Sequence, residues 1–410
     1  MQPAETIAVA DWMRHPAATI AIETLAGAGF VGRFVGGAVR NEVLGLPVTD
    51  FDIATDASPE TALALFHSAG LRALPTGIDH GTITVVVDGV PVELTTLRRD
   101  VETDGRRAVV AFTDDWAEDA ARRDFTLNAL YLDGDGTLYD PTGCGIADAR
   151  ARRVRFVGDP QTRIREDHLR ILRFFRFHAA YGRGALDGPG FAACGALAES
   201  IEALSGERVW RELAKLLAAP GAAEVMIAIA EAGIARHLWD GPVDAGRAAA
   251  VMALEAAHGL PPDPVRRLAA LVAEPDGADA VADRLRLSNA ETRRLSRALA
   301  TPGDRIDRET LYRHGAQAAV DARLLRAAET GAAIADELAL AQRWTQPRFP
   351  LGGADVTALG IPPGPRVGEL LRRVEDWWIM GDFAADTQAC RQELARLATP
   401  LSGIQGGDQQ

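Results

Sequence analysis

The sequence has little of several things. Its three cysteines, Cys144, Cys194 and Cys390, are odd in number, far apart and without a C-x-x-C pair, which excludes a disulfide framework and a zinc knuckle. Lys215 is the only lysine among 44 basic residues. Such a bias usually reflects a GC-rich genome, although arginine is also the better fork for phosphate. No run approaches the roughly 20 apolar residues that a membrane-crossing helix requires. The opening MQPAETIAVADWMRHP has neither a basic-then-apolar signal nor a small-residue cleavage site. A soluble, cytoplasmic protein with no membrane partner is expected. Positive charge is also short: the formal net charge is −13, which taken alone argues against a nucleic-acid partner. The arginines nevertheless cluster near 98–107, 122–123, 150–155, 163–176 and 284–297. What remains is ordinary globular composition, 47% hydrophobic and 25% charged over 410 residues. That excludes a mainly disordered, collagen-like or coiled-coil chain, and the length allows two to four domains at roughly 100–200 residues each.

The first part of the chain reads as a small α/β domain around a mixed sheet. Residues 33–37, 50–54 and 128–132 have the look of short buried strands. Residues 82–87 and 90–97 alternate in polarity around Asp88-Gly89, the strongest short-range hairpin signal. Ser58 and Pro59 open a helix over 59–69 as N-cap and first helical residue. Residues 98–121 read as a polar loop that includes Arg106 and Arg107. From about 160 onward the pattern is helical, with one helix expected over 165–181 and others over 206–218, 222–236, 245–257 and 263–273. The fold class expected is α+β: a mixed-sheet head followed by an elongated all-helical remainder, ending in a disordered QGGDQQ tail.

The chemistry concentrates in GGAVRNEVLGLPVTDFDIAT, residues 36–55. Gly36 and Gly37 follow a strand and open a helix, so the backbone can approach a phosphate and turn its N–H groups toward it. Arg40 lies in the first turn, within reach of the same anion. Asp50 and Asp52 are two apart, hence on one face if both lie on a strand. Two carboxylates so placed repel each other unless a cation lies between them, and they suit Mg²⁺, which takes a few carboxylates plus substrate phosphate oxygens. Glu93, between Val92 and Leu94 on the second hairpin strand, is a candidate third carboxylate. A glycine pair after a strand is usually only a turn, and D-x-D alone is usually two solvated carboxylates.

In company with four further motifs in order along the chain, the stretch resembles the first motif of the class II tRNA nucleotidyltransferase and bacterial poly(A) polymerase family, within the DNA polymerase β-like nucleotidyltransferase superfamily. Arg122-Arg123-Asp124-Phe125-Thr126-Leu127-Asn128-Ala129 is similar to the family's R-R-D-F-T-x-N-A motif, and Asp140-Pro141 through Gly145 and Asp148 to its hinge motif. Glu166-Asp167-His168-Leu169-Arg170 matches E-D-x-x-R, and Ser205 through Leu213 resembles the fifth motif. Residues 351–371 look like its tail segment. The resemblance covers roughly residues 25–385. Asn41 stands where many members have Asp, and no His-Asp dipeptide of a phosphohydrolase domain is present.

The resemblance implies a nucleotidyltransferase head over 1–145, a helical neck that reads the base over 146–240, a tRNA-binding body and tail over 241–400, and a disordered end over 401–410. It implies addition of CMP, CMP and AMP to tRNA 3′ ends from CTP and ATP, with Mg²⁺ as cofactor. Asp50 and Asp52 would hold the metal, with Glu93 beside them as a catalytic carboxylate. Gly36, Gly37 and Arg40 would hold the triphosphate, and Arg122, Arg123, Asp124 and Asn128 the sugar and phosphates. Asp167 and Arg170, i and i+3 on the expected helix, would read the base with help from Arg173. Cytosine and adenine both offer an amine donor beside a ring-nitrogen acceptor, uracil and guanine the reverse. An acceptor-only carboxylate with a donor-only guanidinium therefore fits C and A and leaves U and G unpaired. The 98–121 loop would accompany the switch from CTP to ATP. A poly(A) polymerase and a non-catalytic RNA-binding protein are the alternatives. The chain's short ending argues against the first and the intact Asp50 and Asp52 against the second. The oligomeric state is not legible.

Overall fold

The computed structural model describes residues 1–103 and 108–399. Arg106 and Arg107 of the expected loop, and the expected disordered end at 401–410, lie outside the described residues. The chain divides into two compact units, residues 1–252 with 261–292, and residues 253–260 with 293–410.

The first unit is built on strands β1 (Glu5–Thr6), β2 (Gly32–Val35), β3 (Asp52–Thr55), β4 (Arg72–Gly77), β5 (Thr82–Val87), β6 (Val90–Thr96), β7 (Arg98–Thr103), β8 (Ala108–Phe112), β9 (Tyr131–Leu132) and β10 (Thr137–Tyr139). Eight of them form one sheet in the order β1-β10-β9-β2-β3-β6-β5-β4, while β7 and β8 pair separately. The large sheet is mixed, as expected: β3 and β6 run parallel and the other pairs antiparallel. The period-two alternation of a strand sorts its side chains into two cores. Phe34 and Ile53 join Leu25, Phe66, Ile83 and Leu94 on one face. Their neighbours Val35 and Ala54 join Leu97, Trp116, Tyr131 and Tyr139 on the other.

The β5–β6 hairpin turns at Asp88 and Gly89, with φ of 49° and 84°, both positive as the tight hairpin turn requires. Ser58 caps helix Pro59–Ser68 by accepting from the Thr61 N–H. Several expectations change. The expected 50–54 strand begins two residues later, because its partner β2 pairs Val35 with Asp52 and then turns away at Gly36, φ 68°. Asp50 therefore has no ladder partner and is not on the strand. The expected strand 128–132 shortens to Tyr131–Leu132, and Thr126–Asn128 forms a 3₁₀ turn. The expected 98–121 loop is instead the β7–β8 ribbon followed by helix Trp116–Ala121, which Asp115 caps.

The largest correction concerns residues 165–181. They do not form one helix: Pro160–Glu166 and Arg170–Tyr181 are separate helices, and Asp167 between them is extended at φ −149°, ψ 106°. The Asp167 carboxylate accepts from the Leu169 N–H at 3.2 Å and from Arg208 at 2.9 Å. Such local bonds compete with the helix ladder. Asp167 and Arg170 thus do not share a helical face by i, i+3 spacing. Beyond them, helix Gly206–Ala218 buries Val209, Leu213, Leu216 and Leu217.

The second unit is helical. Pro365–Met380 and Thr387–Ala398 enclose a core of Leu370, Val374, Trp378, Cys390 and Leu394, joined by Val356 and Ile361 from the 351–371 segment. A smaller core gathers Ile306, Leu311, Ala319 and Ala341. Among the described residues, no helix is long and apolar enough to cross a membrane.

Gly206 is fixed by close approach. A Cβ there would lie 2.1 Å from the Arg284 carbonyl oxygen, which is backbone and cannot swing aside. Gly206→Ala should therefore destabilise the protein by about 1–3 kcal/mol. Gly195, inside helix Gly188–Ala196 with nothing within 4 Å of the same position, should be neutral or gain up to about 1 kcal/mol on mutation to Ala. Urea denaturation of both variants checks this, and equal midpoints for the two would refute it.

Candidate active site

The central strands β2, β3 and β6 carry the glycine turn and the carboxylates. Gly36, at φ 68°, is the N-cap of helix Gly37–Leu44, and a Cβ there would meet nothing within 4 Å. The turn is thus open in front, with the first N–H groups of the helix free of intrahelical partners. Beside it, the parallel register sets Asp52 directly across from Glu93. Asp50 precedes the strand, exposed, its Oδ1 accepting from the Thr49 hydroxyl at 2.9 Å.

These three carboxylates act on one another. The pKa of Asp52 is raised to about 6, first by the protein packed around its carboxyl and then by the charges of Glu93 and Asp50, with Arg123 opposing. The residue as a whole still has a solvent-exposed edge. An anionic site facing solvent and short of positive charge is one that a cation fits. Among the described residues, no three His, Cys, Asp or Glu side chains close around one point. The donor set is therefore a partial, oxygen-only one, which suits a hard divalent ion whose remaining ligands come from water and substrate.

Arg122 and Arg123 meet on Asp119, which is 1% exposed. Arg122 Nε and Nη2 donate to its Oδ1 at 2.8 and 2.6 Å. Arg123 Nη2 and the Tyr131 hydroxyl donate to its Oδ2 at 2.8 and 2.7 Å. Burial alone would raise the pKa of Asp119, but Arg123 and Arg122 outweigh it and hold the carboxyl well below the usual range. The backbone N–H of Arg98, at the start of β7, donates to the same carboxylate at 3.3 Å.

Asp124, Asn128, Arg40 and Arg173 form a second group. Asp124 accepts from the Phe125 N–H at 2.8 Å, from Asn128 Nδ2 at 3.1 Å and from Arg173 Nε at 2.9 Å. Burial opposes its ionisation, yet Arg173 and these hydrogen bonds lower its pKa. Arg40, expected at the phosphates, points inward instead. It is 7% exposed, and its guanidinium donates to Asn128 Oδ1 at 3.0 Å, to Asn41 Oδ1 at 2.9 Å and to the Tyr181 hydroxyl at 2.9 Å. Asn41 in turn donates to the Pro47 carbonyl at 2.9 Å, which an aspartate could not do.

Asp167 and Arg170 each have a different ionic partner. Asp167 pairs with Arg208 at 2.9 Å and Arg170 with Glu166 at 2.6 Å. Arg170 also donates to the Arg122 carbonyl at 3.2 Å, which joins it to the Asp119 group. Behind them Glu212, 5% exposed, accepts from Arg176 and lies 3.9 Å from Arg173. Sequence reasoning missed Asp119 and Tyr181. Asp119 had a signal, since Arg122 and Arg123 follow it at i+3 and i+4. Tyr181 had none, because its partner lies 141 positions away.

Comparison with known proteins finds relatives along most of the chain. Residues 32–155 match the Poly A polymerase head domain, and residues 190–241 match the probable RNA and SrmB-binding site of polymerase A. The mitochondrial CCA tRNA nucleotidyltransferase 1 of Danio rerio is 37% identical over 370 residues, covering 84% of this chain and 83% of that protein. The Homo sapiens protein of the same name is 35% identical over 365 residues, with coverage of 84% and 82%. The crystal structure of the Bacillus stearothermophilus CCA-adding enzyme in complex with CTP superposes with a TM-score of 0.77 at 30% identity, covering 93% of this chain and 96% of that one. A Thermotoga maritima CCA-adding enzyme complexed with tRNA shares the fold at a TM-score of 0.67 and 17% identity, covering 97% of this chain and 100% of that one. With sequence and fold in agreement along most of its length, the chain belongs to the CCA tRNA nucleotidyltransferase family.

Proposed function

We propose that this protein adds CMP, CMP and AMP to the 3′ end of tRNA from CTP and ATP, without a nucleic-acid template. Family membership along most of the chain supports the reading. The observation that carries it is the register of Asp52 against Glu93 beside the open Gly36 turn. It sets an anionic, cation-seeking pair next to a turn shaped for phosphate, as nucleotidyl transfer from a triphosphate requires.

Asp50 and Asp52 would hold the divalent ion, which we take to be Mg²⁺. When bound, it would neutralise charge on the reacting phosphate and ease ionisation of the attacking hydroxyl. The tRNA 3′-hydroxyl oxygen would form a bond to the α-phosphorus, pyrophosphate would leave, and Glu93 would take the hydroxyl proton. The N–H groups that come after Gly36 receive the phosphates. Arg122 and Arg123, held by Asp119, present their remaining donors to substrate, and Asp124 with Asn128 supports the sugar side. Asp167 accepts from the exocyclic amine of C or A, and Arg170 donates to the ring nitrogen. Arg208 orients Asp167 and Glu166 orients Arg170, so each is held independently of the other. The head, neck, body and tail boundaries at 145, 240 and 400 are part of the same proposal, as is a tRNA-binding role for the helical remainder.

Asp50→Ala and Asp52→Ala should abolish incorporation into tRNA ending before CCA, a loss on the order of several kcal/mol of barrier stabilisation. Activity within about tenfold of wild type would overturn the metal assignment. The pH dependence has a definite sign. Asp52 keeps its proton to about pH 6, whereas in the unfolded chain it ionises near 3.8. The folded state then binds more protons between those values, so metal-free stability falls as pH rises from about 4 to 6. Asp52→Asn removes that loss and should raise the melting temperature of the metal-free protein at pH 7, even though it inactivates the enzyme. An unchanged or lower melting temperature would contradict the electrostatic account.

Asp167→Ala should lower the CTP:UTP ratio of kcat/KM, because the amine of the correct base loses a charge-assisted bond of roughly 1.5–3 kcal/mol and the uracil carbonyl no longer faces an acceptor. A uniform rate loss at constant ratio would place base reading elsewhere. Binding of tRNA should weaken steeply with salt despite the net charge of −13, since neutralised phosphates release counterions. Filter binding across a salt series measures the slope, and a flat response would count against an RNA partner.

A further inference from the structure

Arg40 is a buried cation whose hydrogen-bond partners are all neutral. Nε donates to Asn41 Oδ1 at 3.2 Å, Nη1 to Asn128 Oδ1 at 3.0 Å, and Nη2 to Asn41 Oδ1 and to the Tyr181 hydroxyl, each at 2.9 Å. The face of the Tyr181 ring lies 4.0 Å from the guanidinium carbon. Asp124 acts on Arg40 only through space. A buried guanidinium is ordinarily matched by a carboxylate, because an uncompensated charge in the interior is costly. Neutral oxygens and an aromatic face solvate a cation without cancelling it. The guanidinium also lies directly behind the glycine turn, where a Cβ on Gly37 would be 3.6 Å from Nη2. Its positive charge, offset only at a distance by Asp124, therefore stands behind the open side of the turn, where an anion would sit.

Tyr181 is the last residue of helix Arg170–Tyr181, which opens with Arg170. Arg173, Phe177 and Tyr181 succeed one another at helical spacing down one face. Arg173 and Arg40 both approach the Phe177 ring, at 5.3 and 5.5 Å. Arg173 grips Asp124, Asn128 donates to Asp124, and Arg40 donates to Asn128. The helix is thus fastened to the glycine turn at both of its ends.

We propose that Tyr181 is a positioning residue for nucleotidyl transfer, holding the carboxylate-free Arg40 guanidinium behind Gly37 and so tying the phosphate-facing turn to the helix that begins with Arg170. A nucleotide bound with phosphates at the turn and base at Arg170 spans these two elements. Tyr181 sets the distance between them without touching substrate. The inference rests on the protein being a nucleotidyltransferase.

Tyr181→Phe keeps the ring and removes the acceptor, and Tyr181→Leu removes both. On tRNA ending before CCA, KM for CTP and for ATP should rise about threefold in the first and about tenfold in the second, the latter equivalent to roughly 1.4 kcal/mol. The CTP:UTP ratio of kcat/KM should fall in the same order, with kcat within about twofold of wild type and the melting temperature of Tyr181→Phe unchanged. A merely structural residue would instead lower melting temperature and kcat while leaving KM and the ratio alone, and that result, or wild-type values throughout, overturns the proposal. If the wild-type protein incorporates nothing, the functional reading itself has failed. The tie is then decided by CTP-induced thermal stabilisation, where a smaller shift in Tyr181→Phe than in wild type supports it and an equal shift overturns it.

Discussion

The parallel pairing of β3 with β6 is the constraint around which the rest of the head is arranged. It sets Asp52 and Glu93 side by side on neighbouring interior strands, in a place where two like charges would not gather of their own accord. The sheet tolerates them because Ile53 and Leu94, next in the two strands, lie in the same core. Burial of such side chains supplies on the order of 1.5–3 kcal/mol each. The hydrophobic register thus dictates where the charges stand, and repulsion between them is accepted as a local cost. On the proposed function, substrate and metal would relieve that cost only while bound, a pattern seen where function and stability pull apart.

Around this pair the protein works with arginine, each one held in a distinct way. Asp119 binds two guanidiniums, a phenol and a backbone N–H at once, so Arg122 and Arg123 are fixed before any ligand arrives. Asp124 and Glu212 do the same for Arg173 and Arg176. Buried ion pairs add little net stability, because desolvation opposes the attraction. They do restrict each fork to one geometry, which the proposed recognition of phosphates and base edges would require. The acidic net charge and the arginine-lined site are therefore compatible: many of the acids act as anchors for the bases.

Much of the fold could be read from local patterns. Asp88-Gly89 between alternating strands has one low-energy solution, and Ser58-Pro59 opens a helix by short-range chemistry. Long-range events were not legible. The start of β3 depends on where β2 leaves the sheet, which Gly36 decides from a different strand. The break at Asp167 depends on Arg208, which lies 41 positions later, and apolar periodicity through 165–181 carries no trace of it. Arg40 read as a phosphate ligand because its position in the first turn permits that, while the partners that draw it inward are Asn128 and Tyr181. The residues of the candidate site were therefore recognisable as a set through the family resemblance. Their pairings emerge only from the three-dimensional contacts.

The parallel pairing also bears on how the head is made. Between β3 and β6 the chain must complete a helix and two strands before it returns, so the two carboxylates are brought together by a non-local contact, whose loop-closure entropy makes it slow to form. An emerging chain holds Asp50 and Asp52 long before Glu93 has been synthesised. The completed pair of carboxylates is consequently a late property of the folded sheet, assembled only when the structure that confines it is in place.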